Sequence, residues 1–328
     1  LLYKDEFESN LKRRLGLGQG EKIRMVKYSK YRKSFFTGTG SKNEIAVIVA
    51  EGPIIPGTSD DSQQVIAAET FTDEIKKARM DDDVRAIVLR VNSPGGEVRS
   101  SDMIWREIEL ARAVKPVIAS MSDYAASGGY YIAMGCDTIV AQPHTLTGSI
   151  GIFGIIFDMS GFLGNKLGIT FDEVRTGEFG DTYTVTRPLT TVEKSYIQKT
   201  LEDFYETFTR KAADGRGVTV DEIEMVASGR VWTGAQALDH NLVDVLGGFD
   251  DAVRIAAEKA GIADDYRLRY FPVQRPFLQQ LLTTLEENAT ADRMRTELGE
   301  MKTYYDQVKK VQTYHGAQAR MPFELQIH

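Results

Sequence analysis

Val84-Arg85-Ala86-Ile87-Val88-Leu89-Arg90-Val91 leads into Asn92-Ser93-Pro94-Gly95-Gly96, and Pro116-Val117-Ile118-Ala119-Ser120-Met121 leads into Asp123-Tyr124-Ala125-Ala126-Ser127-Gly128-Gly129-Tyr130-Tyr131. Both begin as nearly continuous apolar runs, the pattern of a strand buried on two faces, and both end in paired glycines. Proline fixes one dihedral and the glycines permit positive φ, so the first turn can aim bare N–H groups outward. The second turn sets a serine at a crowded helix start. A serine attacking an amide carbonyl needs donors for the developing oxyanion, and losing one costs about 3 kcal/mol. The N–H groups of Gly96 and Gly128 are the candidates, and Ser127 is the candidate nucleophile. Each Gly-Gly taken alone reads as a tight strand-to-helix turn. Their order, each after a hydrophobic strand, gives them joint meaning.

Outward from these turns, the pattern predicts a helix over 97–114 and a strand over 45–50. A second helix is predicted over 63–80, with Val65, Ile66, Phe71, Ile75 and Ala78 as its apolar positions. Alternating strands and helices imply a mainly parallel sheet covered by helices, with right-handed crossovers. Later helices are expected over 190–214, 219–227 and 234–239. Ile197, Leu201, Phe204 and Phe208 form an apolar stripe on the first of these.

The segments Thr147-Gly148-Ser149-Ile150-Gly151, Gly229-Arg230-Val231-Trp232-Thr233-Gly234 and Leu246-Gly247-Gly248-Phe249 complete a set. Together with the two glycine turns they resemble the signal peptide peptidase A family, within the Clp-protease and crotonase fold group. The resemblance covers about residues 41 to 260. It implies an α/β spiral of strand-strand-helix units with a helical oligomerisation region. It also implies a serine endopeptidase of the Ser-Lys type that degrades hydrophobic peptides such as cleaved signal peptides. Ser127 then attacks, Gly96 and Gly128 hold the oxyanion, and Ser149 orients the lysine. Asn92, Ser93 and Pro94 shape the turn, and Gly95 allows the close backbone approach.

The sequence departs from that family at the general base. Alignment through Thr176-Gly177, Asp181, Arg187 and Glu193-Lys194 sets Gly180 where short members carry the lysine. Long members divide the dyad between tandem repeats, and this chain resembles the second. The implied organisation is a connector from a missing repeat over 1–40, the peptidase domain over 41–265 and an extension over 266–328. That repeat would supply the lysine and the membrane anchor. The full tandem form would be a tetramer at the bacterial inner membrane, with its catalytic domain on the periplasmic side.

Local substitutes for the base read differently. Lys194 opens a helix on its charged face, Lys166 reads as a turn residue, and His144 reads as a loop histidine after a strand. His240 suits a helix end. His315 and His328 lie in a tail without catalytic company.

Other chemistries leave little trace. No His-Glu-x-x-His or Cys-x-x-Cys spacing occurs, and no Walker loop or dinucleotide fingerprint follows a strand, so no cofactor is expected. Asp81-Asp82-Asp83 reads as a solvated turn, and the single cysteine, Cys136, as a small buried hydrophobe. The 328 residues are 42% hydrophobic and 27% charged, an ordered globular profile. A net charge of −7 argues against nucleic acid as a main partner. The basic, tyrosine-bearing patch 27–33 reads as a connector or, alternatively, as a lipid contact. No run of about 20 apolar residues is present. Two rivals remain at this stage: a crotonase-type enzyme stabilising a thioester enolate with the same turns, and a noncatalytic scaffold repeat.

Overall fold

The computed structural model describes residues 4–18, 20–26, 41–59, 64–174, 177, 179–182, 184–271 and 317–320. The basic patch 27–33, the histidines His315 and His328, and the extension from Pro272 to Gly316 lie outside the described residues. The chain divides into two compact units, residues 1–41 and 42–328. The first holds helix α1 (Lys4–Arg14), with Asp5 and Glu6 in its first turn and Lys12, Arg13 and Arg14 in its last, charges that suit the helix dipole. Phe7 and Leu15 on this segment remain exposed.

The second unit runs β1 (Glu44–Glu51), β2 (Ile54–Ile55), β3 (Ile66–Ala67), α2 (Ala68–Met80), β4 (Val84–Ser93), β5 (Gly95–Glu97), α3 (Val98–Arg112), β6 (Val117–Ala126), α4 (Gly128–Ala133), β7 (Thr138–Ala141) and β8 (Leu146–Gly148). It continues with α5 (Ser160–Leu167), α6 (Thr191–Arg216), α7 (Val220–Val226), β9 (Val231–Thr233), α8 (Gly234–Asp239), β10 (Val245–Leu246), α9 (Phe249–Lys259), β11 (Arg267–Phe271) and β12 (Gln318–Arg320). Among the described residues these form an eight-stranded sheet with the path β10-β7-β6-β4-β1-β11, and a four-stranded sheet β12-β5-β2-β3. Strands β1, β4, β6 and β7 are parallel, with helices in the crossovers, which is the expected α/β winding. Two units, each of strands followed by a helix, succeed one another: β1, β2, β3 and α2, then β4, β5 and α3. The first strand of each joins the large sheet and the remaining strands join the small one.

The unbroken apolar runs have a physical cause. Side chains alternate between faces, and both faces of the large sheet are covered, so neither parity can be polar. Ile45, Val47, Ala86 and Val88 pack with Ala252, Val253 and Ala256 of α9. Ala46, Ile48, Ile87 and Leu89 pack with Phe71 and Ile75 of α2 and with Ile104 and Ile108 of α3. Burying each large side chain of this kind contributes about 1.5–3 kcal/mol.

Three expectations need correction. Ile66 and Ala67 pair with Ile54 and Ile55, so the helix expected from residue 63 begins at Ala68: a tertiary pairing overrides the local periodicity. The peptidase sheet does not end at residue 265, because β11 pairs with β1 from Glu44↔Arg267 to Ile48↔Phe271. Lys166 lies in the last turn of α5, which Gly168 ends in a left-handed conformation, rather than in a turn. Asp81 opens the turn before β4, accepting from Asp83 N–H at 3.0 Å, and also pairs with Arg269 of β11 at 2.8 Å. Cys136 is buried, and burial pushes its thiol pKa up. No helix among the described residues is long and apolar enough to cross a membrane.

Candidate active site

The site grows from the carboxyl ends of β4 and β6, whose pairing shifts register between Val91 and Ser93 so that Ser93 lies opposite Ala125. Ser93 Oγ donates to the Gly52 carbonyl at 2.7 Å and accepts from Gly95 N–H at 3.2 Å. Asn92 accepts from Gly52 N–H at 3.0 Å through its carbonyl, and from Tyr124 N–H at 3.4 Å through Oδ1. These bonds tie the turn to both neighbouring strands. Gly95, after Pro94, has φ 95°, a conformation that favours glycine. Gly96 then lies opposite Ile54 on one side and Ala319 on the other.

Strand β6 delivers Ser127 to the first position outside α4, at φ 54° and ψ −114°. Such a conformation costs a non-glycine residue about 1–3 kcal/mol, and the surroundings must hold it. Ser127 N–H donates to the Gly148 carbonyl at 2.8 Å, and its carbonyl accepts from Tyr131 N–H at 2.8 Å. The hydroxyl does not cap the helix. Its one hydrogen-bond contact among the described residues is the Gly151 carbonyl at 3.5 Å. A methyl group on Gly128 would lie 3.0 Å from Gly96 N, and one on Gly95 would lie 2.6 Å from Gly128 N. The two candidate amides are therefore close neighbours, beside the serine. Ser127 is 0% exposed.

Ser149 emerges beside Ser127, because Ala126 and Gly148 are register partners on β6 and β8. It too has positive φ, 51°, and its N–H donates to Arg230 O at 2.7 Å. The structure thus brings Asn92, Ser93, Pro94, Gly95, Gly96, Ser127, Gly128 and Ser149 to one end of the parallel strands.

Helix α4 is anchored from behind. Tyr130 Oη donates to the Leu242 carbonyl at 3.1 Å, and Tyr131 Oη to Asp102 at 2.7 Å. Asp102 also pairs with Lys211, whose Nζ lies 3.6 Å from the Trp105 ring centroid. Burial is the first cause that raises both tyrosine pKa values, so both hydroxyls stay protonated. Asp102 and Lys211 escaped the sequence reading, since no local pattern joins residues so far apart.

Among the described residues, no lysine or histidine side chain hydrogen-bonds Ser127. Lys194 is exposed on α6 and His144 is exposed in the loop before β8. His240 ends α8 and packs edge-on to Trp232, with centroids 4.3 Å apart. Gly180 lines a cavity of about 720 Å³ with Phe179, Asp181, Val192, Glu193 and Tyr196. Beside it, Arg187 donates to Asp181 at 2.7 Å and to both Glu193 oxygens at 2.8 and 2.9 Å. The Arg187 hydrogen bond, then that of Thr190 N–H, holds the Glu193 carboxyl well below the usual carboxylate range. Exposed apolar side chains crowd the preceding segment, among them Ile155, Ile156, Phe157, Phe162 and Phe171.

A parallel sheet wound from strand-strand-helix units, with a buried serine and two glycine turns at its carboxyl edge, defines the ClpP/crotonase-like class of α/β proteins. The signature of peptidase family S49 matches residues 109–263, and the chain belongs to that family. It is 36% identical over 228 residues to the Synechocystis sp. protein named "Putative protease slr0021", covering 69% of this chain and 78% of that one. It is 39% identical over 280 residues to "Serine protease SPPA, chloroplastic" of Arabidopsis thaliana, covering 84% of this chain and 41% of the relative. Among solved structures, a membrane-bound stomatin-specific protease is similar at 16% identity and a TM-score of 0.44, covering 71% of this chain and 100% of that one. The chain spans less than half the length of the long curated relatives it matches.

Proposed function

We propose that the chain is the serine-bearing half of a signal peptide peptidase, a serine endopeptidase that works through an acyl-enzyme. Ser127 Oγ attacks the scissile carbonyl carbon while a lysine amine takes its proton. The amides of Gly96 and Gly128 receive the oxyanion, the amide C–N bond breaks, and the protonated amine leaves. Water then releases the acyl group by the same route. One observation carries this reading: Ser127 is held at φ 54°, with its hydroxyl uncommitted to the helix, beside the neighbouring Gly96 and Gly128 amides.

The base is a lysine of a preceding repeat, oriented by Ser149. Gly180 supports this, since the position that aligns with the short members' lysine has no side chain. A lysine serves as base only when burial or nearby positive charge lowers its pKa from about 10.4, and a divided dyad buries it between repeats. The substrates are hydrophobic peptides such as cleaved signal peptides. The assembled protein is a homo-oligomer, a tetramer in the tandem form. It is anchored by its other half at the bacterial inner membrane, with the site on the periplasmic face.

A fluorophosphonate probe tests the assignment. The long, two-repeat protein is expected to be labelled at Ser127, whereas this chain alone and a Ser127→Ala variant of the long protein remain unlabelled. No labelling of the long protein overturns the reading in favour of a scaffold or of enolate chemistry.

A further inference from the structure

Helix α4 is six residues long, Gly128–Ala133, and carries no side-chain cap. A helix this short has no stability of its own, so its position is set by what its side chains grip. Its first internal bond runs from Tyr131 N–H to the Ser127 carbonyl, at 2.8 Å. Tyr131 is therefore bound twice. Its amide holds the backbone of the strained serine, and its hydroxyl, 2.7 Å from Asp102 Oδ1, ties the helix to α3. Tyr130 makes a second anchor, but to a neutral carbonyl. A hydrogen bond to an ionised group is roughly twice as strong as one between neutral groups. Asp102 is itself pinned. Its Oδ1 also accepts from Lys211 Nζ, and that ammonium is held over the Trp105 ring, 3.6 Å from its centroid. Trp105 stands one turn along α3 from Asp102. Phe208, one turn before Lys211 on α6, packs on the Tyr131 ring with centroids 4.6 Å apart. Helix α3 bears on the start of α4 as well, since Ser101 Oγ lies 2.6 Å from the point a methyl on Gly128 would occupy.

We infer that Asp102 is a positioning residue for the reaction. Pinned by Lys211, it fixes Tyr131, and through the Tyr131 amide it holds Ser127 in the conformation that presents the hydroxyl, without touching the reacting atoms. The inference rests on the peptidase reading for its effect on rate, and on geometry alone for how Ser127 is held. Loss of the anchor lets α4 turn or slide, and a misplacement of about 1 Å at the nucleophile costs about 100-fold in rate. Asp102→Asn keeps an oxygen where Oδ1 stands and loses the charge, so it preserves the anchor in weakened form.

Two measurements test it. In the 328-residue chain, amide hydrogen exchange at residue 131 is followed for the native protein, Asp102→Ala, Asp102→Asn and Tyr131→Phe. Asp102→Ala and Tyr131→Phe are each expected to speed it at least about tenfold, and Asp102→Asn about threefold, while the Val88 and Ile118 amides of the sheet keep the native rate. Tyr131→Phe decides alone where Asp102→Ala fails to fold. An unchanged rate at residue 131 overturns the inference, and so does equal acceleration at Val88, the mark of a merely structural role. In the long, two-repeat protein, Asp102→Ala and Tyr131→Phe should each lower kcat for a fluorogenic peptide about 10- to 100-fold, with KM within about twofold of native. Asp102→Asn should recover most of that loss. Joining the first two substitutions should lower kcat no further than either alone, since both break one link. Native kcat in Asp102→Ala, or losses that multiply in the double variant, overturn the inference. A long protein with no peptidase activity defeats the peptidase reading instead, and the exchange result then still decides how Ser127 is held.

Discussion

Replacing Ser127 by glycine and by alanine removes the same hydroxyl, but the two variants are expected to differ in stability. At φ 54° and ψ −114° a side chain is penalised, and the cost of such a conformation is about 1–3 kcal/mol. Alanine keeps that cost and glycine removes it. Against this, glycine loses more backbone freedom on folding, by about 0.5–1 kcal/mol. The lost hydroxyl contact, at 3.5 Å to Gly151, is too long to matter and is common to both variants. The balance leaves the glycine variant more stable by about 1 kcal/mol at the centre of a span of about 0–2.5 kcal/mol, equivalent to roughly 2–3 °C in melting temperature at that centre for a domain of this size. Differential scanning calorimetry of the two variants at neutral pH reads the difference directly. A glycine variant that melts at or below the alanine variant would show that the serine is not strained, and the idea of a pre-set nucleophile would lose its physical basis.

Two further outcomes follow from neighbouring groups. A methyl on Gly96 would lie 2.0 Å from the Ile54 carbonyl oxygen and 2.6 Å from its nitrogen, both backbone, so β5 must shift. Such a shift misplaces one oxyanion donor, and Gly96→Ala in the long protein should lower kcat about 100- to 1000-fold, with KM for a fluorogenic peptide nearly unchanged; a loss below about fivefold removes Gly96 from the mechanism. For Glu193 the folded pKa is depressed, so its contribution is present above the unfolded value of about 4.3 and is lost as pH falls through the folded one. The melting-temperature gap between the native chain and Glu193→Gln should therefore narrow as pH falls from 5 towards 2, and a constant gap contradicts the pairing with Arg187.

What could be read in advance was what the chain writes locally. The buried strands announced themselves because a sheet covered on both faces tolerates no polar parity, and the strand-to-helix turn at Ser127 did so because small residues and paired glycines mark a strand's end. The start of α2 was misjudged because Ile66 and Ala67 answer to Ile54 and Ile55, a pairing that helical periodicity cannot express. The Asp102–Tyr131–Lys211 support stayed hidden for a related reason: its members lie on three different helices. Strand β12 was the least legible, since three residues carry no periodicity and their partners, β5 and Phe153, are fixed by tertiary structure alone.

The sole cysteine has a practical consequence. With its sulfur enclosed and its thiol kept protonated, Cys136 should ignore maleimides at neutral pH. The natural sequence can thus serve as its own blank for site-directed dyes. A cysteine introduced on a solvent-facing position of α5 or α6 would be the single reactive handle, ready for spectroscopic rulers.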